Sequence, residues 1–316
     1  MLHLCNLISN KKLKNQVMIE SQSRITLSFY KYFNICNPIL FRNNLYIFFN
    51  RLNILGRVYI AQEGINAQIS VPEKIFFSFS SILSQFSSIF DDIHINQSID
   101  NSNFSFWVLR IKVRKKIVSD GLNDTKFNIK KTGIYLNAES VNNMYSDPES
   151  VFVDMRNSYE YKIGHFDRAI NIKKNTFRDQ LKIIIDELIP YKYKNIVMYC
   201  TGGIRCEKSS AWLKYHNFKY VYQIKNGIIG YIHEARKKNL PIYFKGKNFV
   251  FDSRLVEKIS DDVISYCRQC NCPCDSYVNC NYQKCHLLFI QCIKCNYKFN
   301  QCCSYLCQNK LNNYKK

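Results

Sequence analysis

A cysteine, two glycines and an arginine fall together at one place in this chain. The apolar run Asn195-Ile196-Val197-Met198-Tyr199 ends at Cys200 and continues as Thr201-Gly202-Gly203-Ile204-Arg205-Cys206. The run reads as a buried strand, the glycines as a tight loop, and the residues from Ile204 as a helix. A loop entering a helix N-terminus turns several backbone N–H groups inward, and these groups and the helix dipole stabilise an anion. The amides of Thr201, Gly202, Gly203 and Ile204 therefore cradle negative charge at Cys200, and Arg205 adds a cation beside it. The expected product is a thiolate, the nucleophilic form of cysteine. The spacing is Cys-x4-Arg, one residue tighter than the loop that rings a phosphate in cysteine-dependent phosphatases. It suits a single bound sulfur, so a persulfide is the natural species on Cys200. Cys206 either resolves an oxidised Cys200 as a disulfide or packs beneath the loop. The bland alternative for Cys200 is a buried, inert thiol at a strand end.

A second group of cysteines has different chemistry. Of the 15 cysteines, 11 lie between Cys267 and Cys307. Cys267-x2-Cys270 and Cys292-x2-Cys295 present paired thiolates, and Cys274, Cys280, Cys285, Cys302, Cys303 and Cys307 supply more. Such pairs suit a tetrahedral ion, and structural zinc is the expected occupant; an iron–sulfur cluster and unmetallated thiols are the alternatives. There are enough donors for two four-coordinate sites, their pairing left open, and His286 is a possible substitute for one thiolate. Past Phe251 aliphatic residues are few, so this segment needs such a staple in order to fold. The odd cysteine count and its crowding at one end argue against a secreted disulfide framework.

Lys and Arg number 45 against 24 Asp and Glu, a formal charge of +21. A chain so basic is drawn to polyanions, nucleic acid above all, although a Lys-, Asn- and Ile-rich composition also follows from an AT-rich genome. The sharpest basic feature is a strand. Arg110, Lys112 and Arg114 alternate with Leu109, Ile111 and Val113, and Lys115 and Lys116 follow. Period-2 spacing puts the first three on one sheet face, a stripe fit for a phosphate backbone or, blandly, a solvated outer face. Hydrophobic residues are 47% and charged residues 22%, which excludes wholesale disorder and fibrous classes. No run approaches the roughly 20 apolar residues of a membrane span. The first residues lack a signal-like apolar stretch, so a reducing cytoplasm and no membrane partner are expected.

Several elements must hold these residues in place. Residues 1–24 read as a frayed extension. Within 25–120, strands at Ile25–Tyr32, Arg57–Ile60, Ala67–Val71 and Trp107–Val113 and helices at Leu45–Leu55 and Pro72–Phe90 give the order β-α-β-β-α-β, a ferredoxin-like, acylphosphatase-like domain. Residues 121–147 read as a connector. Between 148 and 242, strands Val151–Asp154 and Asn195–Tyr199 alternate with helices and predict an α/β domain with a parallel sheet. Residues 250–316 form the Cys-rich segment. The chain is thus a multidomain mixture of α/β and α+β parts.

Further motifs carry a resemblance. Val153-Asp154-Met155-Arg156-Asn157 with Glu160, then Gly164-His165-Phe166-Asp167-Arg168-Ala169-Ile170-Asn171-Ile172, and later Asn226-Gly227-Ile228-Ile229-Gly230-Tyr231, resemble rhodanese signatures. Ala61-Gln62-Glu63-Gly64-Ile65-Asn66-Ala67, the basic strand, and Cys285-His286-Leu287-Leu288-Phe289-Ile290-Gln291-Cys292 extend the match. From about Ile25 to Cys307 the chain resembles the bacterial rhodanese-containing tRNA uridine hydroxylases. That resemblance implies conversion of the wobble uridine of a tRNA anticodon stem-loop, position 34, to 5-hydroxyuridine. It implies molecular oxygen as co-substrate and Cys200 as the catalytic cysteine; the electron donor, the oligomeric state and any sulfur-donor protein stay open. Cys272 is extra relative to the family pattern and is left out of the ligand set. The residues alone leave two other readings, a sulfurtransferase carrying a persulfide and a non-catalytic RNA-binding module. Asp154 and Arg156 are expected to pair beneath the loop as structural support, and His165 to brace the fold.

Overall fold

The computed structural model describes residues 8–19, 22–100, 104–122 and 127–314. The expected frayed start falls partly on residues 1–7 and 20–21, and the expected connector partly on 123–126; these lie outside the described residues. Residues 10–19 of the start form a helix, α1 (Asn10–Ile19).

The first domain is built on alternation. Its elements are β1 (Arg24–Tyr32), α2 (Pro38–Arg51), β2 (Leu55–Ala61), β3 (Gly64–Pro72), α3 (Phe79–Phe86), β4 (Asn96–Gln97) and β5 (Leu109–Val113). The strands lie in the order β4-β1-β3-β2-β5. Leu27, Phe29, Val58, Ile60, Ala67, Ile69 and Ile111 point to one face and bury against Leu45 and Phe49 of α2 and Phe79 and Leu83 of α3. The intervening residues form a second, polar face. Register aligns them in two rows, Asn96–Ser28–Gln68–Arg57–Arg110 and Tyr30–Asn66–Tyr59–Lys112.

Three sequence expectations shift here. The helix read at Leu45–Leu55 starts at Pro38, because the Asn37 side chain accepts from the Leu40 amide and proline is suited to a first turn. Leu55 already belongs to β2. The helix read across Pro72–Phe90 is broken into α3 between two single 3₁₀ turns, Glu73–Ile75 and Ser88–Phe90, with the Ser87 side chain capping the Ile89 amide.

The second domain has a five-stranded parallel sheet with helices on both faces. In chain order its elements are β6 (Ile134–Leu136), α4 (Ala138–Ser146), β7 (Ser150–Asp154), α5 (Ser158–Ile163), β8 (Gly164–Phe166), β9 (Ile170–Asn171), α6 (Phe177–Leu188), β10 (Asn195–Tyr199), α7 (Ile204–Tyr215), β11 (Val221–Ile224) and α8 (Gly227–Lys237). The sheet order is β6-β11-β10-β7-β9. Along β10, Ile196 and Met198 enter the core beneath α6 and α7, while Val197 and Tyr199 enter the core beneath α4 and α8. Residues 134–146 are therefore part of this domain and not of a connector: Leu136 and Val141 are buried in its core, and Asn137 caps α4. Short strands such as β6 lack the length that makes a strand legible in sequence.

Beyond it, β12 (Phe244–Phe249) pairs with β8 and with β13 (Val256–Lys258). The Cys-rich segment follows as β14 (Tyr277–Asn279), β15 (Leu288–Ile290), α9 (Ile293–Lys298) and α10 (Tyr305–Tyr314). Its apolar clusters are small and consist largely of cysteines, with Ile163, Phe249 and Tyr277 docking one of them on the second domain. Among the described residues no helix is long and apolar enough to cross a membrane.

Candidate active site

Cys200 follows β10 at the carboxyl edge of the parallel sheet, and α7 begins four residues later. Gly203 carries the turn at φ 99°, a conformation open to glycine and costly for residues with a Cβ. Its amide donates to Cys200 Sγ at 3.1 Å. A second glycine fixes the loop from behind. At Gly227, φ 65°, a Cβ would come within 2.4 Å of the Cys200 carbonyl oxygen. That close approach lets the amides of Ile228 and Ile229, at the start of α8, bind the carbonyls of Cys200 and Thr201 at 2.9 and 3.2 Å. With these carbonyls held, the amides that reach the sulfur are those of Gly203, Arg205 and Cys206; of the four amides expected to cradle it, only that of Gly203 is among them.

The electrostatics follow. Burial pushes the Cys200 thiol up, but the Cys206 thiol, the Arg205 charge and the amides of Cys206 and Arg205 outweigh it, bringing the pKa down to about 6. An inert buried cysteine would move the other way. Cys206 does so: burial and the neighbouring sulfur hold it well above the usual thiol range. It stays protonated and donates to Cys200.

Arg205 is held more firmly than a loop cation needs to be. Its guanidinium binds Glu160 of α5 through two hydrogen bonds of 2.7 and 2.9 Å. Burial opposes its charge, yet Glu160 more than restores it. Glu160 also accepts from the Asn157 amide, so one buried carboxylate fixes both the start of α5 and the side of the cysteine loop. Asp154 and Arg156 form a fully buried ion pair at 2.6 Å. Arg156 also donates to the Gly164 carbonyl. His165 binds the Tyr161 carbonyl at 2.8 Å and stacks on that ring, and burial lowers its pKa.

The polar face of the first domain covers this loop. A cavity of about 680 Å³ lies between them, with Cys200, Thr201, Gly202, Ile204 and Arg205 on one side and Ser28, Tyr30, Arg57, Tyr59, Asn66 and Gln68 on the other. Lys208 of α7 is buried against Glu63 of the β2–β3 turn and against Asp120, which fastens the two domains. Tyr30 donates to Glu207 of α7 at 2.8 Å. Tyr30, Tyr59, Arg57 and Glu207 were not legible as site residues. Alternation puts the first three on a common face, but nothing local says what that face meets.

Arg110 and Lys112 are exposed on the edge strand β5, beside Arg57 and Tyr59, and so extend the cavity-facing rows outward. Arg114 lies over the Tyr59 ring at 5.9 Å. Lys115 is exposed, and Lys116 is drawn toward Glu63 and Asp120.

The Cys-rich segment brings its thiols into two groups of four, Cys267, Cys270, Cys292 and Cys295 in one and Cys280, Cys285, Cys303 and Cys307 in the other, each with all Sγ atoms within 4.8 Å. Each group can hold a metal ion. Cys274 and Cys302, counted as ligands from spacing, lie outside both sets: Cys274 packs with Ile163, Phe249 and Tyr277, and Cys302 with Phe289. Cys272, left out of the ligand set, has its sulfur 3.3 Å from that of Cys270. His286 is in neither group.

Comparison with known proteins agrees with this architecture. Residues 24–117 match the UPF0176 acylphosphatase like domain, 137–234 the rhodanese-like domain, and 245–308 the rhodanase C-terminal family. A protein of Buchnera aphidicola subsp. Schizaphis graminum named tRNA uridine(34) hydroxylase is 54% identical over 98% of this chain and 100% of its own length. Proteins of the same name from Erwinia tasmaniensis and Photorhabdus laumondii are 54% and 53% identical, over 98% of this chain and 88% of theirs. On this near full-length similarity, the chain belongs to the tRNA uridine(34) hydroxylase family.

Proposed function

We infer that this protein is an oxidoreductase that hydroxylates C5 of uridine 34 in tRNA, with dioxygen as co-substrate and Cys200 as the reacting nucleophile. The observation that carries the reading is the sulfur of Cys200, its pKa lowered to about 6, lining a cavity between the polar face of the first domain and the cysteine loop. The cavity is large enough for a nucleobase turned out of the anticodon loop, and unpaired loop bases are what proteins read in RNA. Arg110, Lys112 and Arg57 lead along the sheet face to that cavity and suit the phosphates on either side of such a base. The sulfur of Cys200, bare or as a persulfide, adds to C6 of the uracil and makes C5 electron-rich. The amides of the loop stabilise the sulfur when it leaves, and Arg205 keeps the loop in place from the side. Cys206, a neutral donor to that sulfur, is also placed to resolve it after oxidation.

Zinc suits both thiolate groups. A tetrahedron with Zn–S of about 2.3 Å has S···S edges of about 3.8 Å. The Cys270–Cys292, Cys285–Cys303 and Cys303–Cys307 separations are 3.6, 3.7 and 3.6 Å. In these sites zinc supplies folding stability to a segment with little core.

The test is nucleoside mass spectrometry of tRNA from cells that carry the wild-type protein or Cys200→Ala. Loss of 5-hydroxyuridine in the variant is expected. Loss of a thiolated nucleoside, with 5-hydroxyuridine intact, favours the sulfurtransferase reading that the tight Cys-x4-Arg loop also supports.

A further inference from the structure

Glu207 accepts from two phenols and, at 3.5 Å, from the Gln223 side-chain amide, and among the described residues it pairs with no cation. Tyr30 of the first domain donates to its Oε1 at 2.8 Å, and Tyr135 of β6 donates to its Oε2 at 2.8 Å. The carboxylate is 8% exposed. Burying a carboxylate without a counter-charge is costly. A neutral glutamine would join the two domains through similar hydrogen bonds, so the clamp alone does not account for an acid here. What a carboxylate adds is the capacity to accept a proton.

Tyr30 is where such a proton would come from. Its hydroxyl lies across Gly203, so close that a Cβ there would sit 2.9 Å away. Gly203 is the residue whose amide holds the Cys200 sulfur. Tyr30, Cys200 and Gly202 line the same cavity. Because the phenol gives its own hydrogen to Glu207, its oxygen lone pairs remain to accept. Tyr135 is 50% exposed and connects Glu207 with solvent.

We propose that Tyr30, backed by Glu207, is the base that removes the C5 proton of the uracil; the assignment rests on the uridine hydroxylation inferred above. Once C5 has gained its hydroxyl, it still carries its original hydrogen, and C6 is bonded to the Cys200 sulfur. The C5–H bond breaks and its hydrogen passes as a proton to the Tyr30 oxygen, while the proton of Tyr30 passes to Glu207. The C–H electron pair forms the C5=C6 bond. The C6–S bond breaks and its pair leaves on sulfur, where the loop amides receive it. No oxidant is consumed in this step. Glu207 then returns its proton to water by way of Tyr135.

The test compares the full-length wild-type protein with Tyr30→Phe and Glu207→Gln on tRNA carrying uridine or 5-deuterouridine at position 34. Both variants are expected to form 5-hydroxyuridine about 100-fold more slowly or worse, the ordinary size of a lost general base. KM for tRNA and the rate of Cys200 alkylation should stay unchanged. C5–H cleavage then limits the rate, so a primary deuterium isotope effect larger than in the wild type is expected, and a covalent protein–RNA adduct should accumulate on denaturing gels. Tyr135→Phe, which leaves Tyr30 and Glu207 in contact, should slow turnover with a raised solvent isotope effect. A Glu207→Gln protein with wild-type turnover overturns the assignment, as does slow turnover without a larger C5 isotope effect or an adduct. If the wild-type protein itself makes no 5-hydroxyuridine, the underlying reaction fails and the base falls with it, an outcome read separately from the variants.

Discussion

Glu160 of α5 and Arg205 of α7 meet through two hydrogen bonds of 2.7 and 2.9 Å, with Glu160 fully buried and Arg205 nearly so. The pair joins the start of one helix to the side of the cysteine loop. Removing one member strands the other as a buried charge. Glu160→Gln is expected to cost about 3–5 kcal/mol, read as a drop in Tm. It should also lower the Cys200 pKa, because the buried Arg205 charge beside the thiolate is no longer offset by a carboxylate, read from the pH dependence of thiol alkylation.

The thiolate itself makes a pH prediction. With its pKa lowered to about 6 from the usual thiol range, Cys200 in the intact protein should react with iodoacetamide at a rate that is half-maximal near that pH. The sign for stability follows from the same shift. A depressed folded pKa favours the ionised form, so its contribution is complete above the unfolded thiol pKa and is lost as pH falls toward 6. Cys200→Ser should flatten that part of the stability profile, measured by denaturant unfolding across the range.

Metal removal should act on the Cys-rich segment first and on the site second. The Tyr277 hydroxyl of β14 donates to the Tyr159 carbonyl of α5, the helix that carries Glu160. Stripping metal with a thiol-reactive mercurial and a chelator is expected to release two equivalents of zinc, unfold residues 250–314 by far-UV circular dichroism, and lower the thermal stability of the remainder. Cys270→Ser or Cys303→Ser should each lower the metal content to one equivalent. Cys274→Ser and Cys302→Ser should leave it at two.

Lys112 tests the RNA path. It is exposed on β5 beside Tyr59. Lys112→Ala is expected to weaken tRNA binding about equally for all sequences and to reduce the slope of log K against log salt by about 1, as one lost phosphate contact would. Filter binding at several salt concentrations reads this directly, and Cys200 alkylation should be unaffected.

The local chemistry was legible in the sequence because it depends on near neighbours. A buried strand, two glycines and a helix start define the backbone around Cys200 with little help from elsewhere, so the ionised sulfur could be expected before any contact was known. Alternation in β1, β2, β3 and β5 likewise determined which residues of the first domain share a face, since a strand repeats every two residues. Cys-x2-Cys pairs announced thiol groups able to hold a metal because the turn itself brings two thiolates together.

Tertiary structure decided everything that joins distant segments. Spacing could not divide the cysteines: Cys267 and Cys270 meet Cys292 and Cys295, while Cys280 and Cys285 meet Cys303 and Cys307, and Cys274 and Cys302 turn into apolar packing instead. Arg205 read as a cation beside the loop, and only the fold reveals the carboxylate 45 residues earlier that holds it. The polar face of the first domain gained its meaning only by closing over Cys200 and placing Tyr30 across Gly203. Such pairings are set by how whole layers pack, a balance of buried area and paired charge summed over the domain interface, and no short window of residues contains that sum.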